Sequence, residues 1–489
     1  MQNLTLNKPK CLIPIFGKPL TLHLAEVLKA NITVIGCYKY NILKSYLSLF
    51  ETSKKKFNFV YSRGKGSGGG IKNALKYIPS DKPFGIIWSD IFFRYKIKFP
   101  AKLDNYIGLT NENHCRWTFK RGKPVEEGGD NNGIFGFFIF KNKEEIKNVP
   151  SSGEFVKFLR ESNVKLRPYY LNGVYEVGTI DKYNKLAEEN RFNTRFFNDI
   201  KIRGSIVTKT ARYNEFENLI EKEVNWYKFI IGKKYTSIPK IISFKPLKMQ
   251  FINGKHPFNI QTTFQEKKMI LNNIIDALFK LHAIESTDYN LQEDREVLMN
   301  KTLSRLDNVK AVLPKQKLQI NNKFVNISYK DLKGLIEKSF NKIAKPEDFR
   351  VIHGDPTFSN ILIDTQKNVK FIDPRGYYGN KMIYGNALYD FAKLYYSCVG
   401  NYDQFNLKNF KMVLDLDQNN AELDIASNNY EEAGLEVFND RFSKSEITEI
   451  RIIHALIWLA LTGYVLDDYD SIVGAYLKGL FEIKTVGIV

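Results

Sequence analysis

The stretch RVIHGDPTFSNILIDTQKNVKFIDPRGYYG, from Arg350 to Gly379, decides the fold of the C-terminal part of the chain. A glycine and a proline break its opening apolar run into a loop. The β-prone runs NILID and VKFID, separated by the polar TQKN, predict a hairpin. Asp355 and Asn360 precede the hairpin and Asp373 ends it. Because the two ends of a hairpin are adjacent in space, we expect these three side chains to converge.

Converging oxygen atoms of this kind suit a magnesium-dependent phosphoryl transfer. Mg²⁺ binds one or two carboxylate or amide oxygens and completes its shell with phosphate and water. Phosphoryl transfer also needs a carboxylate that orients and deprotonates the attacking hydroxyl. The spacing H-x-D-x-x-x-x-N, followed by an Asp at a strand end, matches the catalytic loop and second metal ligand of kinases. A polar hairpin with a capped loop would explain the residues singly, but not as a set.

The amino-acid sequence of this region also resembles that of a known family. VIHGDPTFSNILID, FIDPRG and the later GNALYDFAKLYYS are similar to the aminoglycoside phosphotransferase and choline kinase family, which has a protein-kinase-like fold. The resemblance implies that Asp355 is the catalytic base and that Asn360 and Asp373 hold Mg²⁺. It also implies supporting roles for His353, which packs and orients the loop, and for Asp390.

A kinase needs a Lys for the nucleotide phosphates, held by a Glu from a nearby helix. DIKIRGSIVTKTA predicts two short strands, with Lys209 at the end of the second. The amphipathic helix that follows, residues 214–231, has Glu223 on its apolar face, which also includes Ile231. A Glu on a buried face needs a partner, so we predict that Glu223 pairs with Lys209. The alternative is that Lys209 is one of many surface lysines.

The segment LKMQFINGKHPF is typical of a hinge between two lobes. By the same resemblance, the backbone groups of Gln250, Phe251 and Ile252 are the candidates for contacting adenine. IRGSIV contains a single glycine, so the chain lacks a strict glycine-rich phosphate loop at this point.

The N-terminal part resembles a second family, the sugar-phosphate and choline-phosphate nucleotidyltransferases. The motifs are KPK, FGKPL, GKGSGGGIKNAL, GIIWSDIFF and VYEVGTIDKYNKLAEEN, in family order. They make Lys10, Lys18, Gly68, Asp90 and Glu176 candidate site residues, with CTP or another nucleoside triphosphate as the cofactor. Glu176 stands where the family usually has Asp.

The same part of the chain predicts a parallel α/β sheet. NITVIGCY, FNFVYS and FGIIWS read as strands that alternate with helical stretches. NNGIFGFFIFKN resembles the edge strand of the family. The family's first strand and its glycine-rich loop with Arg would precede Lys10, so we expect this domain to be N-terminally incomplete and to lack nucleotidyltransferase activity as written.

Together, the resemblances predict two domains. Residues 1–194 would form an α/β, Rossmann-like nucleotidyltransferase-like domain, and residues 195–489 an α+β, bilobal, protein-kinase-like domain. The small lobe would comprise 195–252 and the large lobe 253–489. The domain junction is predicted between 190 and 197.

The amino-acid composition limits where in the cell the protein is expected and which partners it is expected to bind. The four Cys show neither paired nor metal-type spacing, which is typical of a reducing cytosol, and we predict a cytoplasmic protein. The longest apolar run, IIHALIWLALTGYVL, is too short for a membrane span and predicts a buried helix. The net charge of +20 would attract nucleotides and phosphorylated substrates, but no basic helix with interleaved aromatics indicates nucleic-acid binding. The oligomeric state stays open.

These observations predict an ATP- and Mg²⁺-dependent kinase for a small-molecule hydroxyl, fused to a nucleotidyltransferase-like module. Activation of a sugar or polyol for a capsule or other surface polysaccharide is the preferred role. Three alternatives stay open. The first is choline kinase with choline-phosphate cytidylyltransferase. The second is an aminoglycoside phosphotransferase, which would need an acidic cleft for its polycationic substrate. The third is a non-catalytic binding protein with two degenerate modules.

Overall fold

The computed structural model describes residues 2–28, 30–53, 55–188 and 198–487. The chain divides into two compact units. The first is Met1–Arg191 with Asp467–Tyr469, and the second is Phe192–Leu466 with Asp470–Val489. The predicted domain boundary at 194/195 lies outside the described residues.

The first unit combines helices with several small sheets. Its helices are α1 (Gln2–Thr5), α2 (Leu20–Leu28), α3 (Tyr40–Ser48), α4 (Gly66–Leu75), α5 (Phe155–Glu161) and α6 (Ile180–Glu188). Its strands are β1 (Pro14–Ile15), β2 (Lys18–Pro19), β3 (Ile32–Gly36), β4 (Phe57–Tyr61), β5 (Phe84–Ile87), β6 (Ile91–Phe93), β7 (Tyr106–Thr110), β8 (Thr118–Lys120), β9 (Lys123–Val125), β10 (Gly133–Phe140), β11 (Arg167–Tyr170) and β12 (Val174–Glu176).

The strand β10 lies inside its sheet, so the prediction of an edge strand for NNGIFGFFIFKN is wrong. It pairs antiparallel with β5 and with β7, and its first residue also pairs with β8. The sequence GIFGFFIF is apolar at every position, and all but one of its residues are buried. A continuous apolar run suits a strand that is covered on both faces, whereas an edge strand with one wet face would alternate.

The predicted parallel sheet is present only in part. The strands β3 and β4 pair in parallel, from Ile32 opposite Phe57 to Gly36 opposite Tyr61. The third predicted strand, β5, pairs antiparallel with β10 instead. Periodicity identifies a strand but not its neighbour, so the sequence locates all three strands and mispredicts one pairing. The α/β class predicted for this part is confirmed.

The second unit contains the remaining elements. Its helices are α7 (Glu217–Ile231), α8 (Phe264–His282), α9 (Leu291–Arg295), α10 (Lys301–Val309), α11 (Leu332–Asn341), α12 (Ala387–Cys398), α13 (Tyr402–Asn406), α14 (Glu431–Arg441), α15 (Lys444–Leu461) and α16 (Tyr469–Thr485). Its strands are β13 (Asn198–Arg203), β14 (Ile206–Ala211), β15 (Ile241–Phe244), β16 (Leu247–Gln250), β17 (Gly254–Lys255), β18 (Ser286–Asp288), β19 (Leu318–Ile320), β20 (Lys323–Val325), β21 (Asp348–Val351), β22 (Ile361–Asp364), β23 (Val369–Phe371), β24 (Tyr384–Gly385), β25 (Phe410–Asp415) and β26 (Asn420–Ile425).

A four-stranded antiparallel sheet, ordered β13-β14-β16-β15, lies within the predicted small lobe. The helix α7 follows β14, as the sequence predicted. It buries Glu223, Val224, Trp226, Tyr227 and Ile230, whereas Ile231, which the spacing placed on the apolar face, is exposed. Ile230 lies four residues after the buried Trp226 and therefore on the same face of the helix, whereas Ile231 is turned away from that face.

The predicted hairpin is present as β22 and β23, with Ile361 opposite Phe371. The apolar run IIHALIWLALTGYVL belongs mostly to α15, a helix with most of its side chains buried, as predicted. Across the described ranges, no helix combines the length and apolar character that crossing a membrane requires. The α+β class predicted for this part is confirmed.

A glycine in the centre of β10 provides a test of the first unit. The register of β10 with β7 shifts between Ile134 and Phe138, which marks a bulge. Gly136 lies in it with φ +89°, and a Cβ placed there would be 1.9 Å from Cδ1 of Trp88. Gly136→Ala should therefore lower the free energy of unfolding by about 3 kcal/mol, from left-handed strain and overpacking together.

Gly122→Ala is the matched control. Gly122 has φ +80°, but a Cβ added to it would meet nothing within 4 Å, so this variant should show only the left-handed cost of about 1–2 kcal/mol. Denaturant unfolding of both variants measures the difference. Equal losses would show that the contact with Trp88 relaxes freely.

Candidate active site

The catalytic loop predicted from the sequence lies between β21 and β22. The side-chain amide of Asn360 donates to the backbone carbonyl of Asp355 at 2.8 Å and to its Oδ2 at 2.9 Å. The Lys393 ammonium on α12 lies 3.0 Å from Oδ1 of Asp355. The Asp355 carboxylate keeps a quarter of its surface exposed, at 26%. It is therefore held in one orientation while still reachable by a substrate.

Asp390 fixes the backbone of this loop from below. Its two carboxylate oxygens accept from the backbone N–H groups of His353, at 2.8 Å, and Gly354, at 2.7 Å. The ring Nε2 of His282, at the end of α8, lies 3.0 Å from the same carboxylate. Asp390 is fully buried, so these contacts satisfy a charge that would otherwise be costly.

His353 is placed to position the loop. It is fully buried between the rings of Trp226 and Phe371. Its Nε2 lies 3.1 Å from the carbonyl of Ile372, and the N–H of Asp355 donates to its Nδ1 at 3.3 Å. Burial lowers the pKa of His353, against the opposing charge of Asp390, and this favours a neutral ring. These contacts agree with the packing role that the resemblance implied.

A second charged cluster lies on the small-lobe side. The Lys209 ammonium contacts Glu223 at 2.6 Å and Asp373 at 2.8 Å, so the predicted Lys–Glu pair is present. Lys209 lies in the middle of β14 rather than at its end. Burial alone would lower the pKa of Lys209, but the charges of Asp373 and Glu223 raise it above its ordinary value. Lys209 is therefore a fixed cation at the site.

The donor set fits Mg²⁺ held jointly by protein and phosphate. Asn360 supplies an amide oxygen and Asp373 a carboxylate, and the two strand ends meet where the N–H of Ile372 donates to the carbonyl of Asn360 at 2.9 Å. Asp373 has φ +56°, an uncommon conformation for a non-glycine residue that often marks functional sites. Within the described ranges, no three His, Cys, Asp or Glu side chains converge as a protein-only metal site.

The hinge segment has fewer available donors than predicted. The N–H of Gln250 donates to the carbonyl of Lys240, and that of Phe251 to the carbonyl of Ser205, both at 2.8 Å. In the part of the chain that the structure describes, the N–H of Ile252 has no backbone acceptor. Of the three predicted residues, Ile252 is thus the one whose backbone N–H is available to hydrogen-bond a nucleobase.

Two contacts hold α7 at the candidate site, one to the catalytic loop and one to the segment that follows β23. The indole N–H of Trp226 donates to the carbonyl of Ile352 at 2.8 Å. Gly376 packs so closely on α7 that a Cβ there would lie 2.3 Å from the carbonyl oxygen of Lys222. The element that carries Glu223 is therefore fastened to the loop that carries Asp355.

Sequence reasoning missed several residues of the site. Lys393 lies three residues after Asp390, and helical spacing could have placed both on one side of α12. His282 is 108 residues from Asp390 in the sequence, and no local pattern connects them. Trp226 lies in the predicted helix 214–231 and Arg375 in the quoted FIDPRG, but neither pattern gives these side chains a role.

The structure brings two N-terminal candidates into contact and places the backbone of a third at the adjoining strand. The Lys10 ammonium lies 2.6 Å from Oδ2 of Asp90. Glu176 pairs opposite Ile91 in the β6–β12 ladder, and the N–H of Val177 donates to the carbonyl of Asp90 at 2.7 Å. Glu176 itself contacts Lys182 at 2.9 Å. The carboxylates of Asp90 and Glu176 thus come from adjoining strand ends.

The other two N-terminal candidates lie in different surroundings. Lys18 forms an exposed ion pair with Glu26 at 2.8 Å. Gly68 lies in the first turn of α4, which begins at Gly66 as expected, and its N–H donates to the carbonyl of Gly153 at 2.9 Å. The loop glycines contact the backbone of residues 150–153. Close packing is therefore a sufficient reason for glycine there.

Residues 185–411 match the family model of the phosphotransferase enzyme family, APH. This match confirms the family resemblance of the C-terminal part. Part of the chain, 149 residues or 30%, is 27% identical to the bifunctional protein GlmU of Methanococcus vannielii, of which it covers 33%. The chain thus spans a third of the length of that curated relative.

Solved structures resemble each part separately. HddC from Yersinia pseudotuberculosis, complexed with GMP-PN, is 22% identical, with a TM-score of 0.33, and the match covers 37% of this chain and 90% of HddC. Choline kinase LicA from Streptococcus pneumoniae is 11% identical, with a TM-score of 0.35, and the match covers 60% of this chain and 91% of LicA.

The Asp390 carboxylate offers a test of how the loop is held. Asp390→Asn replaces one acceptor oxygen with an NH₂ group that cannot accept from a backbone N–H. We expect a loss of about 2–3 kcal/mol in the free energy of unfolding, because a buried donor is left unsatisfied. Hydrogen exchange at the amides of His353 and Gly354 should accelerate, as measured by mass spectrometry.

Asp415→Asn serves as the control for that experiment. Asp415 is exposed and accepts from two backbone N–H groups, of Asp417 at 3.1 Å and Gln418 at 3.0 Å, through a single oxygen that Asn retains. Its variant should be nearly neutral. Unchanged exchange at residues 353 and 354 in Asp390→Asn would contradict the role given to Asp390.

Proposed function

We propose that the APH-family part of the chain is a kinase that transfers the γ-phosphoryl group of ATP to a hydroxyl of a small molecule. The observation that carries this proposal is the orientation of Asp355. Asn360 and Lys393 hold its two oxygens from different sides, and a quarter of the carboxylate is exposed. A general base needs this combination of fixed geometry and access.

In the proposed reaction, Asp355 accepts the proton of the attacking hydroxyl. The hydroxyl oxygen forms a bond to the γ-phosphorus while the bond from that phosphorus to the β–γ bridging oxygen breaks. The products are a phosphate monoester and ADP, and the proton leaves Asp355 for solvent. Lys393 stabilises the Asp355 carboxylate before the proton arrives.

The nucleotide would be held by the small-lobe cluster and the hinge. Lys209, kept charged by Glu223 and Asp373, would bind phosphate oxygens. The N–H of Ile252 is the donor that the hinge offers to adenine. Asn360 and Asp373 would hold Mg²⁺, which when bound neutralises charge on the transferring phosphate.

Replacement of the base tests the proposal. Asp355→Asn should lower the rate of ADP formation by about 10²- to 10⁴-fold, because the amide cannot accept the proton. Binding of ATP with Mg²⁺ should persist in isothermal titration, since the base acts on the acceptor. The acceptor panel is choline, ethanolamine, polyols, sugars and aminoglycosides.

Two lysine variants are compared in the same measurement of ATP binding, one at the candidate site and one as a control. Lys209→Ala should weaken ATP binding about tenfold or more through the loss of a charge-assisted contact. Lys370→Ala removes a lysine from the hairpin strand β23, where its ammonium donates to the carbonyl of Thr236, and should leave binding unchanged. Wild-type turnover in Asp355→Asn, or wild-type affinity for ATP in Lys209→Ala, would refute the kinase assignment.

A role in activating a sugar or polyol for a surface polysaccharide in the cytoplasm extends the same proposal. It is supported by the similarity of the motif sequences to those of the family, and not by a contact in the structure. A kinase that makes a phosphate monoester would supply the phosphorylated compound that a nucleotidyltransferase joins to a nucleotide.

Nucleotide binding by the first unit is a second candidate function, favoured by the Lys10–Asp90 pair and by the strand that carries Glu176 next to it. A carboxylate pair at adjoining strand ends can hold a cation that a nucleoside triphosphate also binds. Titration of CTP with Mg²⁺ should show binding that Asp90→Asn weakens about tenfold.

Lys120→Ala is the control for this second candidate, because Lys120 forms an exposed ion pair with Glu127 away from that group. It should bind CTP as the wild type does. If CTP, GTP and UTP all fail to bind to the wild-type chain, or bind equally to Asp90→Asn, the first unit has no nucleotide site at these residues.

A further inference from the structure

A group of basic side chains that the proposed reaction does not use lies near Asp355, close enough for the Asp355 charge to favour the charged forms of Lys301 and of Arg375. Lys301 and Arg305 lie four residues apart on α10 and so share one face of that helix. Arg375 follows Asp373 and packs against Gly354, where a Cβ would lie 2.8 Å from the Cβ of Arg375. We call Lys301, Arg305 and Arg375 the acceptor-side cations.

Neutral groups hold the two arginines in place. The guanidinium of Arg375 donates to the hydroxyl of Tyr389 at 2.9 Å and lies over the ring of Tyr377, 4.8 Å from its centroid. Arg305 donates to the carbonyl of Ala460 at 3.0 Å. Carbonyl, hydroxyl and ring contacts orient a guanidinium without cancelling its charge.

The surroundings of the acceptor-side cations lack acidic groups at contact distance. In the described ranges, no carboxylate oxygen lies within 4.0 Å of the charged nitrogens of Lys301, Arg305 or Arg375. The carboxylate that acts on Lys301 is that of Asp355, and Lys393 already contacts it at 3.0 Å. Positive charge is therefore in excess on this side of the catalytic base.

The excess charge is costly without a ligand. All three residues are partly buried, and a buried charge without a counter-ion is destabilising. Burial, together with the charges of Arg375, Arg305 and Lys393, lowers the pKa of Lys301 to about 5. Burial and the charge of Arg375 also lower the pKa of Arg305. At neutral pH Lys301 is therefore a neutral amine when no ligand is bound, and an anion bound among these residues would favour its protonation to the ammonium form.

The helix that carries two of these cations is itself irregular. A π-helical segment, Glu296–Asn300, immediately precedes Lys301 and joins α9 to α10. Such segments are rare and occur frequently at functional sites, because the extra residue rotates the following side chains. The irregularity is local to the turn that sets the direction of Lys301 and Arg305.

We propose that the acceptor of this kinase is an anionic hydroxyl compound, whose phosphate or carboxylate group is bound by Lys301, Arg305 and Arg375 while its hydroxyl faces Asp355. This inference rests on the proposed function, since it names the acceptor class of the same site. Two guanidinium groups and an ammonium match an oxyanion in charge and in hydrogen-bond geometry. The same group repels cationic acceptors, so choline and aminoglycosides are disfavoured as substrates.

Equilibrium dialysis of inorganic phosphate tests the anion site directly. The nucleotide site is first filled with Mg²⁺ and a non-hydrolysable ATP analogue, so that the γ-phosphate position is occupied. Wild-type protein should bind phosphate, and Lys301→Met and Arg305→Gln should each weaken it about tenfold. Lys310→Met, which removes an exposed charge just after α10, should bind as the wild type does.

The base variant separates this site from a merely structural cluster. Asp355→Asn removes the negative charge beside the acceptor-side cations, so it should tighten phosphate binding while it lowers turnover. Equal binding by the wild type, Lys301→Met and Arg305→Gln, or no binding by the wild type, would overturn the proposal. If the ATP analogue does not bind while phosphate binding still depends on Lys301, the kinase assignment fails and the anion site stands.

A matched series of sugars distinguishes the two anionic groups. Glucose, glucose 6-phosphate and glucuronate share a ring and differ in the charge they carry, and each is used to displace bound phosphate. Stronger displacement by glucose 6-phosphate indicates a phosphate-bearing acceptor, and stronger displacement by glucuronate a carboxylate-bearing one. Displacement by glucose, choline or kanamycin as effective as by both anions would contradict an anionic acceptor.

Discussion

The Asp390 carboxylate is the constraint on which the rest of the active site depends. It accepts from two consecutive backbone N–H groups, of His353 and Gly354, just before Asp355. A fully buried charge is tolerated only when its hydrogen bonds are complete, so the loop and α12 stabilise one another. The direction of Asp355, and through it that of Asn360, follows from this backbone geometry. Lys393, on the same helix as Asp390, contacts the Asp355 carboxylate.

Local sequence signals predicted the elements of the fold better than their partners. The hairpin β22–β23 and the helix α7 could be located because turn residues and apolar spacing are local properties. The position of β10 in its sheet could not, since pairing on both edges depends on β5 and β7, which are distant in sequence. The run GIFGFFIF did contain the relevant signal, because an edge strand rarely buries both faces.

The candidate site divides in the same way. Residues within one motif, such as Asp355 and Asn360, could be grouped from their spacing, and Glu223 from the cost of burying an unpaired charge. His282 could not be found, because it reaches Asp390 only through the packing of α8 on α12. The acceptor-side cations were also hidden, since a chain with 73 Lys and Arg residues gives no reason to select three of them. What distinguishes them is their partial burial near Asp355 with no carboxylate within 4.0 Å of their charged nitrogens among the described residues, and that is a property of the folded chain.

The bond from Trp226 to the carbonyl of Ile352 has a consequence for regulation. In many phosphotransferases control is exerted by swinging the helix that bears the Glu away from the Lys. Here such a swing would leave the buried indole N–H of Trp226 and the buried carbonyl of Ile352 without hydrogen-bond partners, at a cost of about 1–3 kcal/mol for each. It would also have to separate Gly376 from the backbone of Lys222. A swing of α7 would therefore have to be driven by at least this free energy, and these contacts favour the position of α7 in which Glu223 contacts Lys209.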